Sequence, residues 1–465
     1  MRGKWTKGVS MARIAVIDIG KTNAKLLVVD PSKGIEEIVD RVPNRVLSAV
    51  PYPHFDTEGL WRFILEGLGR VGAVDAVTVT THGASAALVD AHGGLALPVL
   101  DYEHDGPDLI AGEYDAIRPE FTETGSPRLP MGLNLGAQLY WQAKTFPDRF
   151  AHVRHILTLP QYWGFRLSGV AASEYTSLGC HTDLWNPFEG RFSSLLARLG
   201  WQSLFPEVSG PAKVLGPLRA DVAAATGLPR DTPVISGIHD SNASLMPWLA
   251  GDAPRAVLST GTWMIVMALR GRRGMIDPSR DLLVNVNALG EPVPTARFMA
   301  GREIEEIMDG QIVSPGDDEV AGVLARGIMA LPSRHPTTGP FQGLRFAWSP
   351  EAPATPGMRM AAASLYAALM GAECLELIGA EGEIVVEGPF GANRIFLRML
   401  ATATGRRVLA AGSGAGTGLG AALLAAPGGA RAPAPVIEPD TADLWRGYAS
   451  AWRARVATAW AGQRR

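Results

Sequence analysis

The residues of this chain that could do chemistry stand in short motifs, each at the end of an apolar run. The central motif is Pro233-Val-Ile-Ser-Gly-Ile-His-Asp-Ser-Asn-Ala-Ser-Leu245. Val234 and Ile235 read as a buried strand, Gly237 as a bend and the small residues from Ser241 as a helix, which places Asp240 at a strand-to-helix turn. Free backbone N–H groups and the positive end of the helix dipole favour an ionised carboxylate there. An ionised Asp240 is a weak base, which suits phosphoryl transfer, because the acceptor hydroxyl loses its proton late and positioning does most of the work. A helix N-cap is the alternative role for an isolated Asp. What weighs against it is the following motif, Ala256-Val-Leu-Ser-Thr-Gly-Thr-Trp263. There Gly261 marks a tight turn between two strands, and the N–H groups and hydroxyls of Thr260 and Thr262 can hold phosphate oxygens.

A similar hairpin opens the chain in Arg13-Ile-Ala-Val-Ile-Asp-Ile-Gly-Lys-Thr-Asn-Ala-Lys-Leu-Leu-Val-Val-Asp30. Asp18 precedes a turn of Gly20, Lys21 and Thr22, with Asn23 and Lys25 on the returning strand. The likeness of the two hairpins is an internal repeat, and it predicts two related lobes with one phosphate loop each. A mononucleotide P-loop is set aside, since its glycines lead into a helix.

A length of 465 residues predicts two domains, and 47% hydrophobic with 19% charged residues is ordinary for a globular enzyme. The net charge of −3 argues against a nucleic-acid partner, because no basic field is available to neutralise phosphates. Cys180 and Cys374, the two cysteines, give neither a disulfide framework nor metal spacing. No run of about eighteen apolar residues is present to span a bilayer, and a cytoplasmic protein is predicted.

In order, Asp18-Ile-Gly-Lys-Thr-Asn-Ala-Lys25, Gly237-Ile-His-Asp240, Ser259-Thr-Gly-Thr-Trp263 and Gly388-Pro-Phe-Gly-Ala-Asn393 resemble the landmarks of the FGGY family of carbohydrate kinases. The resemblance runs over residues 12 to 426. It implies an α/β fold of two actin-like (ribonuclease H-like) ATPase lobes with a cleft between them. The expected division is a disordered extension over 1–11, an N-terminal lobe for sugar and phosphate over 12–248, a nucleotide lobe over 249–430, and a linker with a C-terminal helix over 431–465. ATP and Mg²⁺ are the implied cofactors and a small sugar the implied partner, without nucleic acid or membrane; a homodimer is left open.

On the same resemblance, Asp240 is the catalytic base and Asp18 the metal ligand. Gly20, Lys21, Thr22, Asn23, Lys25, Thr260, Gly261 and Thr262 take the ATP phosphates, and Gly388, Gly391 and Asn393 the adenosine. His82, Asp101, Tyr102, Glu103, His239 and Asp240 form the sugar set, against the bland readings of a loop histidine and a surface acidic cluster. Where the family commonly has a lysine, this chain has Gln138. The pair His239-Asp240 resembles kinases of deoxyketohexoses of the L-rhamnulose and L-fuculose type, with ketopentoses, tetroses and polyols as alternatives. From other classes come an actin-like nucleotide sensor without phosphotransfer and an iron–sulfur activating ATPase, the latter opposed by the two cysteines. The glycine-rich run Ala411 to Leu424 reads equally as a nucleotide loop or as a tightly packed helix. In the tail, Leu444, Tyr448, Trp452, Val456 and Trp460 form a stripe that docks on the second lobe in preference to a membrane surface.

Overall fold

A computed structural model describes residues 12–272, 274, 276–412, 416–428 and 434–463. The extension expected over 1–11, and residues 413–415 of the glycine run, lie outside the described residues. Two compact units are present, and neither is a continuous half of the chain. The first comprises Met1–Ala250, Val284–Pro292 and Ala415–Ala432; the second comprises Gly251–Leu283, Val293–Gly414 and Pro433–Arg465.

The sheet of the first unit follows from apolar runs buried on both faces. Ile14–Ile19 pairs antiparallel with Asn23–Asp30 and parallel with Ala76–Thr81, and Ile35–Pro43 adds to the hairpin's outer side. Alternate residues of the first strand enter two cores. Ala15, Ile17 and Ile19 meet Leu60, Phe63 and Ile64 of the helix Thr57–Leu68, whereas Ile14 and Val16 meet Leu419, Ala421 and Ala422 of the helix Thr417–Ala422. Asp56 starts the former helix, its carboxylate accepting from Gly59 N at 2.8 Å. The register then does the work that matters for function. Ile19 and His239 both pair with Thr81, so three parallel strands end level and deliver Asp18, His82 and Asp240 to one carboxyl edge.

In the second unit the order Pro292–Phe298, Met264–Leu269, Arg255–Thr260, Glu383–Glu387, Val408–Gly412, Val436–Ile437 repeats that plan. A hairpin again has a parallel strand on its inner side, here with Ser259 level with Glu387. Residues 21–30 and 261–270 even share the same burial, position by position. The internal repeat inferred from two glycine turns is thus a repeat of topology.

Pro356–Leu377 is, among the described residues, the one helix long and apolar enough to cross a membrane. It is the core helix of this unit: Ala361, Leu365, Leu369 and Met370 are buried in the main cluster, and 83% of its most apolar window lies inside. The C-terminal helix Asp443–Gln463 is also docked here, with Tyr448 Oη donating to Ile328 O at 2.7 Å and Trp452 Nε1 to Ala330 O at 2.8 Å. One position of the expected stripe is corrected. Leu444 is exposed, and Trp445 takes the inward place because it lies seven residues, close to two turns, before Trp452.

Candidate active site

Each hairpin turn closes on its glycine, Gly20 N donating to Asn23 O and Gly261 N to Trp263 O, both at 2.9 Å. The backbone N–H groups of Lys21, Thr22, Thr262 and Trp263 take no partner among the described residues. Adjacent unpaired N–H groups at a turn form a concavity for anions. Asn44 braces the first turn by donating from Nδ2 to Gly20 O at 2.9 Å and from its backbone N to Thr22 O at 3.0 Å. In the second turn Gly301 does the corresponding work. A Cβ there would stand 2.2 Å from Gly261 O, and Gly301 N donates to Thr262 O at 3.2 Å. Neither Asn44 nor Gly301 carried a signal in sequence.

Asp18 is buried on the first strand. Its Oδ2 accepts from Thr417 Oγ1 at 2.9 Å and lies 3.8 Å from Lys25 Nζ, its partner across the hairpin. Burial pushes its carboxyl above the ordinary range against those two partners, and the charge of Asp240 adds to the rise. Thr22 Oγ1 accepts from Asn23 Nδ2 at 2.9 Å, and Asn23 Oδ1 from Arg41 Nε at 3.3 Å.

Lys21, expected among the phosphate groups, is placed with the sugar set. Its ammonium pairs with Asp101, lies 3.4 Å from Glu103 Oε2, and sits 4.6 Å from the Tyr102 ring centroid and 5.0 Å from that of Phe55. Two carboxylates and two ring faces hold the cation more firmly than a turn with no opposite charge can. Tyr102 in turn meets the edge of His82 at 5.6 Å between centroids. His82 is buried, with Nδ1 donating to Gly83 O at 2.9 Å, which leaves Nε2 as the ring's acceptor, buried and without a partner among the described residues. Burial lowers its pKa. Gln138, in the place of the family's lysine, has its Nε2 committed to Ala84 O at 2.5 Å and to Gly132 O, and Gly132 N donates to Tyr102 O at 2.9 Å. It staples the His82 bend to the Tyr102 loop.

Asp240 opens the short helix Asp240–Leu245, and the N-cap place belongs to His239. Ser241 N donates to Asp240 Oδ1 at 2.6 Å, as the helix start predicts. The expected bias toward ionisation is nonetheless outweighed: burial pushes the carboxyl up more than His82 and the Ser241 hydrogen bonds lower it. His239 is buried as well, and burial lowers its pKa to about 4. An unfolded histidine titrates near 6.5, so protonation favours the unfolded chain below that pH, and the stability His239 contributes is lost as pH falls from about 6.5 to about 4. Relative to His239→Asn, the wild type is expected to lose about 3 kcal/mol across that window in urea unfolding. A wild-type stability relative to His239→Asn that stays flat or grows as pH falls would contradict it.

The second unit's remaining candidates are accounted for by packing. Thr260 Oγ1 donates to Glu387 O and accepts from Phe390 N at 3.2 Å, so its hydroxyl is committed within the fold. Gly388 has φ of 83°, and a Cβ there would stand 2.0 Å from Thr260 O; at Gly391 it would stand 3.1 Å from Gly412 N. Asn393 caps the helix Arg394–Thr404 by accepting from Phe396 N at 3.0 Å, and donates to Ser364 Oγ at 2.9 Å. Gly420 likewise answers the question posed by the glycine run, since a Cβ on it would meet Ala243 O at 1.7 Å. Tight helix packing explains it.

Known proteins match this arrangement. Residues 116–247 match the FGGY family of carbohydrate kinases, N-terminal domain, and residues 252–433 match carbohydrate kinase FGGY, C-terminal domain. The crystal structure of a carbohydrate kinase from Novosphingobium aromaticivorans superposes with a TM-score of 0.87 at 38% identity, over 97% of this chain and 99% of that one. The chain belongs to the FGGY family of carbohydrate kinases, with its α/β, actin-like ATPase fold. The L-fuculokinase of Salmonella typhi is 30% identical over 209 residues, 44% of this chain and 43% of that protein. The rhamnulokinase of Halalkalibacterium halodurans is 25% identical over 260 residues, 54% of this chain and 55% of that protein. The matched part thus spans about half the length of these two relatives. A xylulose kinase from Rhodospirillum rubrum, at 19% identity and a TM-score of 0.77, shares the fold.

Proposed function

We propose that the protein transfers the γ-phosphoryl group of ATP to a hydroxyl of a small neutral sugar, with Asp240 as the base. The observation that carries this is the level ending of three strands, which sets Asp18, His82 and Asp240 side by side at one sheet edge. The acceptor hydroxyl gives its proton to Asp240 as its oxygen bonds the γ-phosphorus, and the bond to the bridging oxygen breaks, leaving with ADP. Phosphate oxygens take the unpaired N–H groups of the first turn, with Thr22, Asn23 and Lys25 beside them, and the second unit's own turn offers the same groups together with Thr262. Adenosine lies against the turn of Gly388 and Gly391.

Asp18 fits Mg²⁺. Its burial and the nearby charge of Asp240 raise its pKa, a strain that a cation relieves, and Mg²⁺ takes one or two carboxylates rather than a full protein cage. When bound, the ion supplies neutralisation of phosphate charge.

His82 Nε2 accepts from one sugar hydroxyl, and Asp101, Tyr102 and Glu103, held by Lys21, take others. Three carboxylates, Asp101, Glu103 and Asp240, face a single lysine in this set, which favours an uncharged ketose or polyol. The relatives named L-fuculokinase and rhamnulokinase support a deoxyketohexose. A coupled ADP assay over ketopentoses, deoxyketohexoses, tetroses, polyols and aldonic acids tests the reading. One neutral sugar is expected to raise ADP release well above the sugar-free rate; stimulation by an aldonic acid alone would refute the assignment of the acceptor. Lys21→Met is expected to raise the acceptor KM roughly tenfold, the size of one charge-assisted hydrogen bond, and to leave the KM for ATP within about threefold. The reverse split would return Lys21 to the phosphates.

A further inference from the structure

The two carboxylate oxygens of Asp240 differ in their surroundings. Oδ1 accepts from Ser241 N at 2.6 Å and Ser241 Oγ at 3.3 Å, and lies 3.3 Å from His239 Nε2. Oδ2 takes no donor among the described residues. A neutral imidazole carries one N–H and one lone pair. With a carboxylate oxygen against Nε2, the hydrogen belongs on Nε2, because a lone pair there would repel Oδ1. Nδ1 is then the acceptor, and it needs a donor.

That donor is Asn242. Its Nδ2 lies 3.3 Å from His239 Nδ1, and both residues are buried. The Asn242 carbonyl oxygen is itself buried without a partner among the described residues. Turning the amide over would set that oxygen against Nδ1, pull the ring hydrogen to Nδ1 and leave a bare Nε2 facing Asp240. Asn242 therefore keeps an unsatisfied oxygen in the orientation that serves His239. The ring has further constraints. His239 N donates to Thr176 Oγ1 at 3.2 Å, and Thr176 Oγ1 donates to the buried Glu174 at 2.6 Å. On the other side, a Cβ at Gly83 would stand 2.8 Å from Nε2, so only glycine leaves room for the ring.

We propose that Asn242 is a positioning residue that fixes the hydrogen of His239 on Nε2, so that His239 turns an N–H rather than a lone pair toward Asp240 Oδ1 and Oδ2 is left as the one oxygen that takes the acceptor proton. The inference rests on Asp240 being the base. It concerns the ring itself, however, and can be read with no substrate present.

Nitrogen NMR of protein carrying isotope-labelled histidine, with His239 assigned by its loss in His239→Gln, gives the test. In the wild type the hydrogen is expected on Nε2 at neutral pH. In Asn242→Asp the new carboxylate draws hydrogen onto Nδ1. Asn242→Leu, which removes the donor and keeps the volume, is expected to lower kcat on the order of 10- to 100-fold, the usual cost of losing a group that orients another, with the acceptor KM within about threefold. A wild-type hydrogen on Nδ1, an Asn242→Asp spectrum like the wild type, or a wild-type kcat in folded Asn242→Leu each overturns the proposal. If the kinase reading itself fails, no sugar turns over, yet the ring spectra still report the tautomer.

Discussion

Asp240→Asn is expected to lower kcat by about 10²- to 10⁴-fold, the usual contribution of a general base, while ATP binds as before. Asparagine keeps the outline of the side chain, and its oxygen can still accept from Ser241 N, as Asp240 Oδ1 does, with His239 Nε2 alongside. What it loses is the basic oxygen at Oδ2. The acceptor hydroxyl then has no group to take its proton, although its position against the γ-phosphate is preserved. The same change is expected to raise the melting temperature slightly, or to leave it unchanged. Burial raises the carboxyl's pKa, so its ionised form costs stability, and its neutral isostere removes that cost. Activity and stability moving in opposite directions marks a catalytic carboxylate. A fall in both would mark a structural cap. Equal rates in the two proteins would remove Asp240 from the mechanism.

The second large effect is expected at Gly420, in the glycine-rich run and about 180 residues on from Asp240. Gly420 lies on the helix Thr417–Ala422, and a methyl group there would stand 1.7 Å from Ala243 O and 2.5 Å from Ala243 C. The obstacle is backbone, which cannot rotate aside as a side chain can. Gly420→Ala must therefore part this helix from Asp240–Leu245, the helix that begins with the base. A loss of about 1–3 kcal/mol is usual for overpacking, and backbone contact puts this case at or above the upper end. The change is expected to lower the urea midpoint and kcat together, since displacement of the helix carries Asp240 with it. It also moves Thr417, which donates to Asp18. An alanine variant with wild-type midpoint and turnover would show that the two helices do not meet at this residue.

Much of this arrangement was legible in the chain because strands buried on both faces leave continuous apolar runs, and each run here stops at a glycine or a carboxylate. Asp18 and Asp240 are placed at strand ends for that reason. Their level alignment could not be read, since it depends on the pairing of Ile19 and His239 with Thr81. Glycine was the ambiguous signal. The family resemblance implies a bound base at Gly388 and Gly391, yet Thr260 O and Gly412 N already demand a missing side chain there. A ligand and a neighbouring strand impose the same requirement, and a sequence does not distinguish them. Asn393 poses the same problem, because an asparagine before a helix caps it whether or not a ribose is nearby. Sequence groups Lys21 with the turn that bears it, whereas its partners Asp101 and Glu103 lie about eighty residues on. Asn44, Thr417 and Gly301 were silent because their partners exist only once the chain has folded.

The most direct measurement follows the phosphoryl group itself. Phosphorus NMR of the protein with Mg-ATP and the sugar that stimulates it is expected to show one sugar phosphate ester formed for each ADP, and neither product growing at that rate with Asp240→Asn. ADP accumulating with inorganic phosphate and no ester, or ester formed equally fast without the Asp240 carboxylate, would contradict the account.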